Sequence, residues 1–284
     1  MRFTIKHFNE RFPDDNVCLD YMFELAYRDM PACPKCGVID PNYYRVRNRK
    51  CYECKDCGNQ IHPLANTIFH KSSTSLRDWF YIIFLFSVAK NGVSAKEVER
   101  HLGVTYKTAW RIAKQVRVLM SEGSNPLSGI VETDETYIGG RQRGKDIAVQ
   151  DKAVAFGMVE RGGNVKAEHV PTAGARVLLP RLQTSIVPGT IVYSDQAKVY
   201  STLHRIGYYH DSVNHSIGEY GRGHIHTNTI EGFWGQLKRS MDGTYQRVSR
   251  KYLQLYLNEF VYRYNYRAVP VFPVLIASAA RRVQ

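Results

Sequence analysis

The sequence predicts an α/β domain that follows a cysteine-rich segment and a helical segment. Five of the six cysteines fall between positions 33 and 57, whereas residues 74–121 have helical periodicity. After a breaker rich in Ser, Gly and Pro at residues 121–129, short apolar strands alternate with helices. The predicted domains are a ribbon-containing segment at 1–70 (ribbon about 31–62), a helical domain at 71–124 and an α/β domain at 125–284.

Each element of the α/β domain has its own sequence signal. GIVETDETYIGG predicts a strand that stops at two glycines, and KAVAFGMVERGGNVKAEHV is typical of a hairpin turning at residues 162–164. ARVLLPRLQTSI and VYSTLHRIG predict helices, GTIVYSDQA and YYHDSV predict strands, and HTNTIEGFWGQLKRSM and SRKYLQLYLNEFVYRYNYR predict helices again. The order β-β-β-α-β-α-β-α-α predicts a mixed sheet with helices on its faces.

Charge is distributed unevenly along this basic chain. The net charge is +13, divided as +6 over residues 1–128, zero over 129–237 and +7 over 238–284. A neutral middle between basic flanks favours a polyanionic partner such as nucleic acid. The longest apolar run, residues 79–89, is too short to span a bilayer, and no signal peptide is recognisable, so we expect a cytosolic protein.

The cysteines form two knuckles of the type Cys-x2-Cys-Gly. Cys33 and Cys36 belong to CPKCG, and Cys54 and Cys57 belong to CKDCG. Two such turns supply four thiolates in tetrahedral geometry, which is typical of a structural zinc site with no open coordination position. Cys51 also stands at the right spacing from Cys54, so a second register is possible. We favour the register with Cys57 because its glycine mirrors the first knuckle.

Residues 94–120 predict a helix-turn-helix. Ser94 begins a first helix, Gly103 ends it, and Thr105 begins a basic second helix. In DNA-binding modules of this shape the second helix enters the major groove with its N-terminal residues at the base edges. An ordinary helical hairpin is the alternative. The predicted DNA-contacting residues are Tyr106, Lys107, Thr108, Arg111 and Lys114.

Acidic residues occur inside the apolar strands of the neutral middle. Asp134 lies in the first strand and Asp195 ends a later one. Burial of a carboxylate is costly unless it is paired or binds a cation, and carboxylate oxygens are ligands for Mg2+ or Mn2+. Strand alternation places Glu132 on the same face as Asp134 and Glu135 on the other, so both remain alternatives at this stage.

The helix at residues 226–241 carries a single acid. Glu231 and Lys238 are seven residues apart, which places them two turns apart on one face. A surface arrangement of no consequence is the simplest explanation. If Glu231 instead binds the metal together with the two aspartates, Lys238 is placed to contact the phosphates of a bound DNA end. Arg239, the next residue, is expected to contact DNA as well.

These motifs together resemble insertion-sequence transposases of the DDE type, in the ISXO-type group with a zinc ribbon, a helix-turn-helix and an integrase-like domain. CPKCG, CKDCG, LGVTYKTAWRI, DETYIGG, SDQAKVY and HTNTIEGFWGQLKR occur in the same order as in that group. The resemblance implies a ribonuclease-H-like (retroviral-integrase-like) catalytic domain. It implies metal-dependent DNA cleavage and strand transfer with two Mg2+ or Mn2+ ions. It also implies that Asp134 and Asp195 are the first two of the three catalytic residues.

The third catalytic residue is either Glu231 or Asn228. Some members of the group are thought to use Asn on this helix, but 35 residues separate Asp195 from Glu231 and the Glu-x6-Lys spacing fits the general DDE pattern. We favour Glu231, since a charged ligand binds metal better than an amide. Asn228 is then expected either to cap the helix or to support the metal ligands without touching the ion.

The resemblance also implies partners. The ribbon and the helix-turn-helix are expected to bind terminal inverted repeats in double-stranded DNA, with target DNA as second substrate and a homodimer or higher oligomer holding two ends. A domesticated, non-catalytic DNA-binding regulator and a structure-specific nuclease are the alternatives. His215, His224 and His226 are more often structural than DNA-contacting in such positions.

Overall fold

The computed structural model describes residues 3–121, 123, 125–139, 152–195, 198–214, 218–219 and 221–281. It divides into two compact units. The first comprises Met1–Ala89, Ala95–Leu119 and Val269–Gln284, and the second comprises Lys90–Ser94 and Met120–Ala268.

The first unit joins a small three-stranded ribbon to a set of helices. Its helices are α1 (Ile5–Arg11), α2 (Asp15–Tyr27), α3 (Leu76–Val88), α4 (Ala95–Leu102), α5 (Tyr106–Leu119) and α9 (Val271–Ala280). The antiparallel ribbon consists of β1 (Tyr43–Arg45), β2 (Tyr52–Cys54) and β3 (Gln60–Ile61). Helix α3 is apolar on nearly all sides and is buried at the centre of this unit. No helix in the described ranges is long and apolar enough to cross a membrane.

The last helix differs from the sequence expectation. The sequence places residues 269–284 with the α/β domain as part of a basic C-terminal region, whereas the structure groups them with the first unit. The reason is hydrophobic: α9 is almost entirely apolar, and its Phe272 lies among the phenylalanine rings of α1 and α3. The basic, tyrosine-rich helix expected at the end of the chain is instead the helix before it, α8 (Leu253–Asn265).

The second unit is built on a five-stranded sheet. Its strands are β4 (Ile130–Ile138), β5 (Ala153–Glu160), β6 (Val165–Val170), β7 (Ile191–Asp195) and β8 (Tyr209–Val213), in the order β6-β5-β4-β7-β8. The first three strands are antiparallel neighbours, and β7 and β8 run parallel to β4. With α6 (Ala175–Ser185) connecting β6 to β7, this is the ribonuclease-H-like arrangement that the resemblance implies.

Both faces of this sheet are covered, which explains the nearly continuous apolar sequence of β5. One face packs against α7 (Asn228–Ser240) and α8 through a core that includes Ile230 and Trp234. The other packs against α6 and the segment after β7. Gly157 of β5 allows the close approach of α7, because a Cβ at this position would meet the Trp234 ring at 2.4 Å.

The segment VYSTLHRIG forms shorter turns than the predicted helix. Two 3-10 turns, Lys198–Tyr200 and Leu203–Ile206, replace it, and Gly207 ends the second with a left-handed backbone at φ 91°. Tyr200 and Leu203 are fully buried against the sheet. The segment is therefore fixed by two anchoring side chains and lacks the regular stripe that a helix would need. The hairpin turn predicted at residues 162–164 is confirmed between β5 and β6.

Candidate active site, zinc centre and DNA-binding surface

Four cysteine sulfurs converge in the ribbon. The Sγ atoms of Cys33, Cys36, Cys54 and Cys57 all lie within 4.8 Å of one another. Each knuckle closes with the same hydrogen bond, from the Gly37 N–H to the Cys33 carbonyl at 2.9 Å and from the Gly58 N–H to the Cys54 carbonyl at 3.0 Å. The two glycines adopt φ values of 72° and 69°, in the left-handed region that other residues rarely occupy.

The structure distinguishes the two possible cysteine registers. Cys51 is buried and its Sγ lies 3.9 Å from the amide oxygen of Gln60, outside the converging group. The backbone N–H of Cys36 lowers the pKa of the Cys33 thiol to about 6, which favours the thiolate that a metal requires. The favoured set of four thiolates therefore fits a structural zinc ion with no open coordination position.

Asp134 and Asp195 lie at matching positions on adjacent parallel strands. The pairing of β4 with β7 places Glu132 opposite Tyr193. Asp134 and Asp195 each follow two residues later, so both side chains emerge on the face that carries Glu132. Neighbouring strands are separated by about 4.8 Å. The two aspartates are therefore neighbours on the side of the sheet that packs against α7.

The pKa of Asp134 shows which charges surround it. Burial first, and then the neighbouring carboxylate of Asp195, raise this pKa from 3.8 to about 6. Glu231 acts in the same direction, whereas the ammonium of Lys238 lowers the pKa of Asp134. Residues from β4, β7 and both ends of α7 thus interact electrostatically at one place.

The first turn of α7 presents both candidates for the third position. Glu231 is exposed, and its Oε1 accepts a hydrogen bond of 2.6 Å from the hydroxyl of Thr227. Asn228 is exposed at the first position of the helix, and Thr227 occupies the N-cap position. The expectation that Asn228 caps this helix is therefore wrong.

The three carboxylates lie farther apart than the four cysteine sulfurs. Among the residues that the structure describes, the four cysteines form the one group of three or more potential ligands close enough to hold an ion as they stand. Mutual repulsion among Asp134, Asp195 and Glu231 favours such a separation, because like charges raise one another's energy at short range. A donor set of three negatively charged oxygen groups fits a divalent cation that would neutralise it.

Glu132 has a different role from the neighbouring acids. It is fully buried, and its Oε2 accepts hydrogen bonds from the N–H groups of Thr229 at 2.7 Å and Ile230 at 3.0 Å. Its Oε1 accepts from Arg161 Nε at 2.6 Å and from the Thr229 hydroxyl at 2.9 Å. Because donors surround both oxygens, Glu132 is a structural anchor for α7 and has no oxygen left to act as a ligand.

Arg161 extends this network to the chain just before α7. Its guanidinium donates to the carbonyl of His224 at 2.7 Å and to the carbonyl of His226 at 2.9 Å, and it lies over the ring of Tyr193. The Nδ1 of His226 also accepts from Arg161 at 3.0 Å. These two histidines therefore help to form the entry into the helix. His215 lies outside the described residues.

Glu135 faces the opposite side of the sheet, as strand alternation predicts. Its register partner Phe156 belongs to the core beneath α6. The pKa of Glu135 is raised to about 7, chiefly by burial; the nearby Tyr200 hydroxyl lowers it, and the charge of Asp134 raises it. The charge of Asp134 therefore affects the pKa of Glu135, although the two side chains lie on opposite faces of the sheet.

Comparison with known proteins identifies both units. Residues 126–265 match the model of the ISXO2-like transposase domain, and residues 13–60 match the transposase zinc-ribbon domain. A transposase-like protein of Haemophilus influenzae is 30% identical over 96 residues, which are 34% of this chain and 76% of that protein. The chain belongs to the ISXO2-like transposase family. A protein in transposable element ISH50 of Halobacterium salinarum is 27% identical over 277 residues, 89% of this transposase and 91% of that protein.

Two solved structures are also similar in part. A pre-cleavage Mos1 transpososome matches 72% of this transposase and 80% of its own chain, with 11% identity and a TM-score of 0.26. A simian T-cell lymphotropic virus intasome matches 58% of this chain and 63% of its own, with 13% identity and a TM-score of 0.31.

Helix α5, the second helix of the predicted helix-turn-helix, presents its first turn to solvent. Tyr106 is 47% exposed, Lys107 is exposed, and the hydroxyl of Thr108 lies 3.1 Å from that of the capping Thr105. Lys114 is half-buried, with its ammonium 5.6 Å from the ring of Trp110.

Arg111 departs from the solvent-facing position expected for it. Its guanidinium lies 5.6 Å from the ring centre of Trp79, and its Nη2 donates to the Ser72 hydroxyl at 3.4 Å. A cation above an aromatic ring is favourable, so Arg111 supports the packing of α5 on α3 within the first unit. The exposed part of this surface is therefore the first turn of α5.

A basic loop in the ribbon was overlooked by the sequence reasoning. The ribbon loop, residues 46–51, joins β1 to β2 and turns at Asn48 with φ 62°. Arg45 beside it is held by Asp20 and Asn16. Three exposed cations of the loop make no ion pair with any residue that the structure describes: Arg47, Arg49 and Lys50. The alternating sequence RVRNRK is the signal that could have revealed this surface.

Proposed function

We propose that this transposase recognises the terminal inverted repeats of an insertion sequence, cleaves the phosphodiester bonds at the element ends and joins the freed ends to target DNA. The observation that carries this proposal is the electrostatic convergence of Asp195, Glu231 and Lys238 on Asp134. Three acids and one lysine from distant parts of the chain influence one another electrostatically where α7 covers the central strands β4 and β7.

Asp134, Asp195 and Glu231 would hold the divalent ions, with two Mg2+ or Mn2+ ions expected. When bound, such ions activate the attacking oxygen and stabilise the leaving oxygen in phosphoryl transfer. The chain's own contribution would be three oxygen ligands on two strands and one helix, which would orient the DNA end against the metals. The raised pKa of Asp134 is consistent with a cluster that requires a cation to be fully ionised.

Lys238 and Arg239 would contact the phosphate backbone of the bound end. Both are exposed at the C-terminal turn of α7, and Lys238 is close enough to Asp134 to lower its pKa. Arg239 is loosely held through a 3.2 Å hydrogen bond to Gln236. A cation beside an acidic metal site is well placed to hold the anionic strand as it enters.

DNA recognition is proposed for the first unit. The first turn of α5, with Tyr106, Lys107 and Thr108, would reach base edges, and Lys114 would contact a phosphate. The ribbon loop would add further phosphate contacts. Arg111, predicted from the sequence to contact DNA, would contribute through its packing on Trp79. Because two element ends must be joined in one reaction, the active form is proposed to be a homodimer or higher oligomer.

The identity of the third catalytic residue is tested by substituting each of the two candidates separately. Glu231→Gln removes a charged ligand and should abolish cleavage, whereas Asn228→Ala should retain most of the activity if Glu231 is the ligand. The reverse result would assign the third position to Asn228. Mn2+ binding measured on both variants separates loss of a ligand from loss of DNA binding.

The overall proposal is tested with labelled DNA carrying the element's terminal repeats, Mn2+ and a target plasmid. Wild-type protein should nick at the repeat boundary and produce joined products, and Asp195→Asn should bind the same DNA without cutting it. Binding without cleavage by the wild type would favour a domesticated DNA-binding regulator. Cleavage of branched DNA without joining would favour a structure-specific nuclease.

A further inference from the structure

Helix α7 begins without the local side-chain cap that most helices use. Thr227 occupies the N-cap position but makes no capping hydrogen bond, and its hydroxyl donates to Glu231 instead. The first N–H groups of a helix need acceptors when they are buried. Those of Thr229 and Ile230 find one in Glu132, which lies 97 and 98 residues earlier in the chain. A strand residue therefore caps this helix.

This long-range cap connects two metal-binding elements. Glu132 precedes Asp134 by two residues on β4 and faces the same side of the sheet. Thr229 and Ile230 immediately precede Glu231 in the first turn of α7. One side chain thus fixes the distance between the strand that carries the first acid and the turn that carries the third.

The cap is charged, which makes it stiffer than a neutral one. The carboxylate of Glu132 is 0% exposed and paired with Arg161 at 2.6 Å. Arg161 also holds the carbonyls of His224 and His226, so the same ion pair fixes the chain just before the helix. Hydrogen bonds to a charged group are stronger and shorter than neutral ones, and a negative charge is favourable at a helix N-terminus.

We propose that Glu132 is a positioning residue for the metal site. It holds the first turn of α7 against β4 so that Glu231 is presented to the ion shared with Asp134. It never touches the ion itself, because four donors already surround its two oxygens: the Thr229 N–H, the Ile230 N–H, the Thr229 hydroxyl and Arg161 Nε. This inference rests on the proposed function.

Glu132→Gln is the informative substitution. It keeps the side-chain volume but removes the charge and places an NH2 group among donors that need an acceptor. A matched control is Glu259→Gln on α8. Glu259 is also 0% exposed and accepts hydrogen bonds from Arg263 at 2.8 Å and from the Tyr245 hydroxyl at 2.9 Å. Both variants lose a buried charged acceptor, but only Glu132 lies between β4 and the start of α7.

The measurement is Mn2+ affinity of the full-length, zinc-loaded protein, followed by electron paramagnetic resonance without DNA. Loss of a residue that orients metal ligands typically weakens metal binding about 10–100-fold, which is the effect expected for Glu132→Gln. Glu259→Gln should lower the melting temperature but leave Mn2+ affinity unchanged. A general loss of stability cannot produce this difference between the two variants.

Thr229→Val provides a second, milder test in case Glu132→Gln does not fold. It removes only the hydroxyl bond to Glu132, which contributes about 1 kcal/mol, so Mn2+ binding should weaken by at most about fivefold, less than in Glu132→Gln. Wild-type affinity in Thr229→Val and in any folded Glu132→Gln would overturn the positioning role. A wild-type protein that binds no Mn2+ would instead overturn the proposed function, so the two failures are distinguishable.

Discussion

Replacing Asp134 with Asn should inactivate the transposase and stabilise it at the same time. The carboxylate of Asp134 is buried beside Asp195 and Glu231, and both neighbours repel it when it is ionised. Asn has nearly the same shape but carries no charge. The variant should therefore fold more stably in the absence of divalent metal, although it cannot serve as a metal ligand.

The size of this effect follows from the pKa of Asp134. Burial and repulsion raise it from 3.8 to about 6 in the folded protein. An acid with a raised pKa binds its proton more tightly in the folded state, so ionisation destabilises the fold. The penalty is absent below about pH 4, grows as the pH rises to about 6 and is complete above it. One pKa unit is worth about 1.4 kcal/mol, so the full penalty approaches 3 kcal/mol.

Scanning calorimetry tests this expectation by measuring the unfolding transition of the second unit. Without divalent metal at about pH 8, Asp134→Asn should melt higher than the wild type by about 2–4 °C for each kcal/mol gained. Near pH 4 the two proteins should converge. Added Mn2+ should stabilise the wild type but not the variant, since a ligand that binds only the folded state raises its stability.

The exposed Asp242 provides the control, because Asp242→Asn should leave the melting temperature and its Mn2+ response unchanged. A melting temperature for Asp134→Asn that equals the wild-type value at both pH extremes would refute this expectation. It would mean that neither burial nor the neighbouring acids destabilise the ionised form of Asp134 in the folded protein.

Three further predictions concern zinc, DNA and packing. Cys54→Ser should release zinc and unfold the ribbon, as measured by zinc content and protease sensitivity, whereas Cys51→Ser should retain one zinc ion per chain. The double variant Arg47→Ala/Arg49→Ala should weaken DNA binding uniformly across sequences and reduce the salt slope by about 2, since each phosphate contact contributes about 0.9. Gly157→Ala should destabilise the second unit by about 1–3 kcal/mol, as measured by urea unfolding, because the new methyl group overpacks against the indole ring of Trp234 in α7.

The features that the sequence could predict are those that depend on short-range spacing. The zinc ligands follow from two knuckles whose geometry is local, and the order of strands and helices along the chain follows from apolar segments and their turns. Asp134 and Asp195 stand out because they are acids inside apolar strands. Their pairing on one face depends on the parallel register of β4 and β7, which the sequence does not specify.

The features that sequence reasoning missed depend on contacts between distant residues. Glu132 stands out in the sequence only as a rival to Asp134, because nothing near it in the chain shows that two amide groups 97 and 98 residues away donate to it. Arg111 resembles other basic residues of a recognition helix until Trp79 is placed beneath it. The apolar α9 packs on α3 rather than on the sheet, which no local pattern indicates.

Iron-mediated cleavage tests most directly whether Asp134, Asp195 and Glu231 surround the same divalent ions. Fe2+ replaces Mg2+, ascorbate and peroxide generate radicals at the site, and mass spectrometry maps the breaks in the backbone. We expect breaks in three places, near residue 134 in β4, near 195 at the end of β7 and near 231 in α7, all suppressed by excess Mg2+. Breaks confined to one of these segments, or found elsewhere in the chain, would contradict a shared metal site.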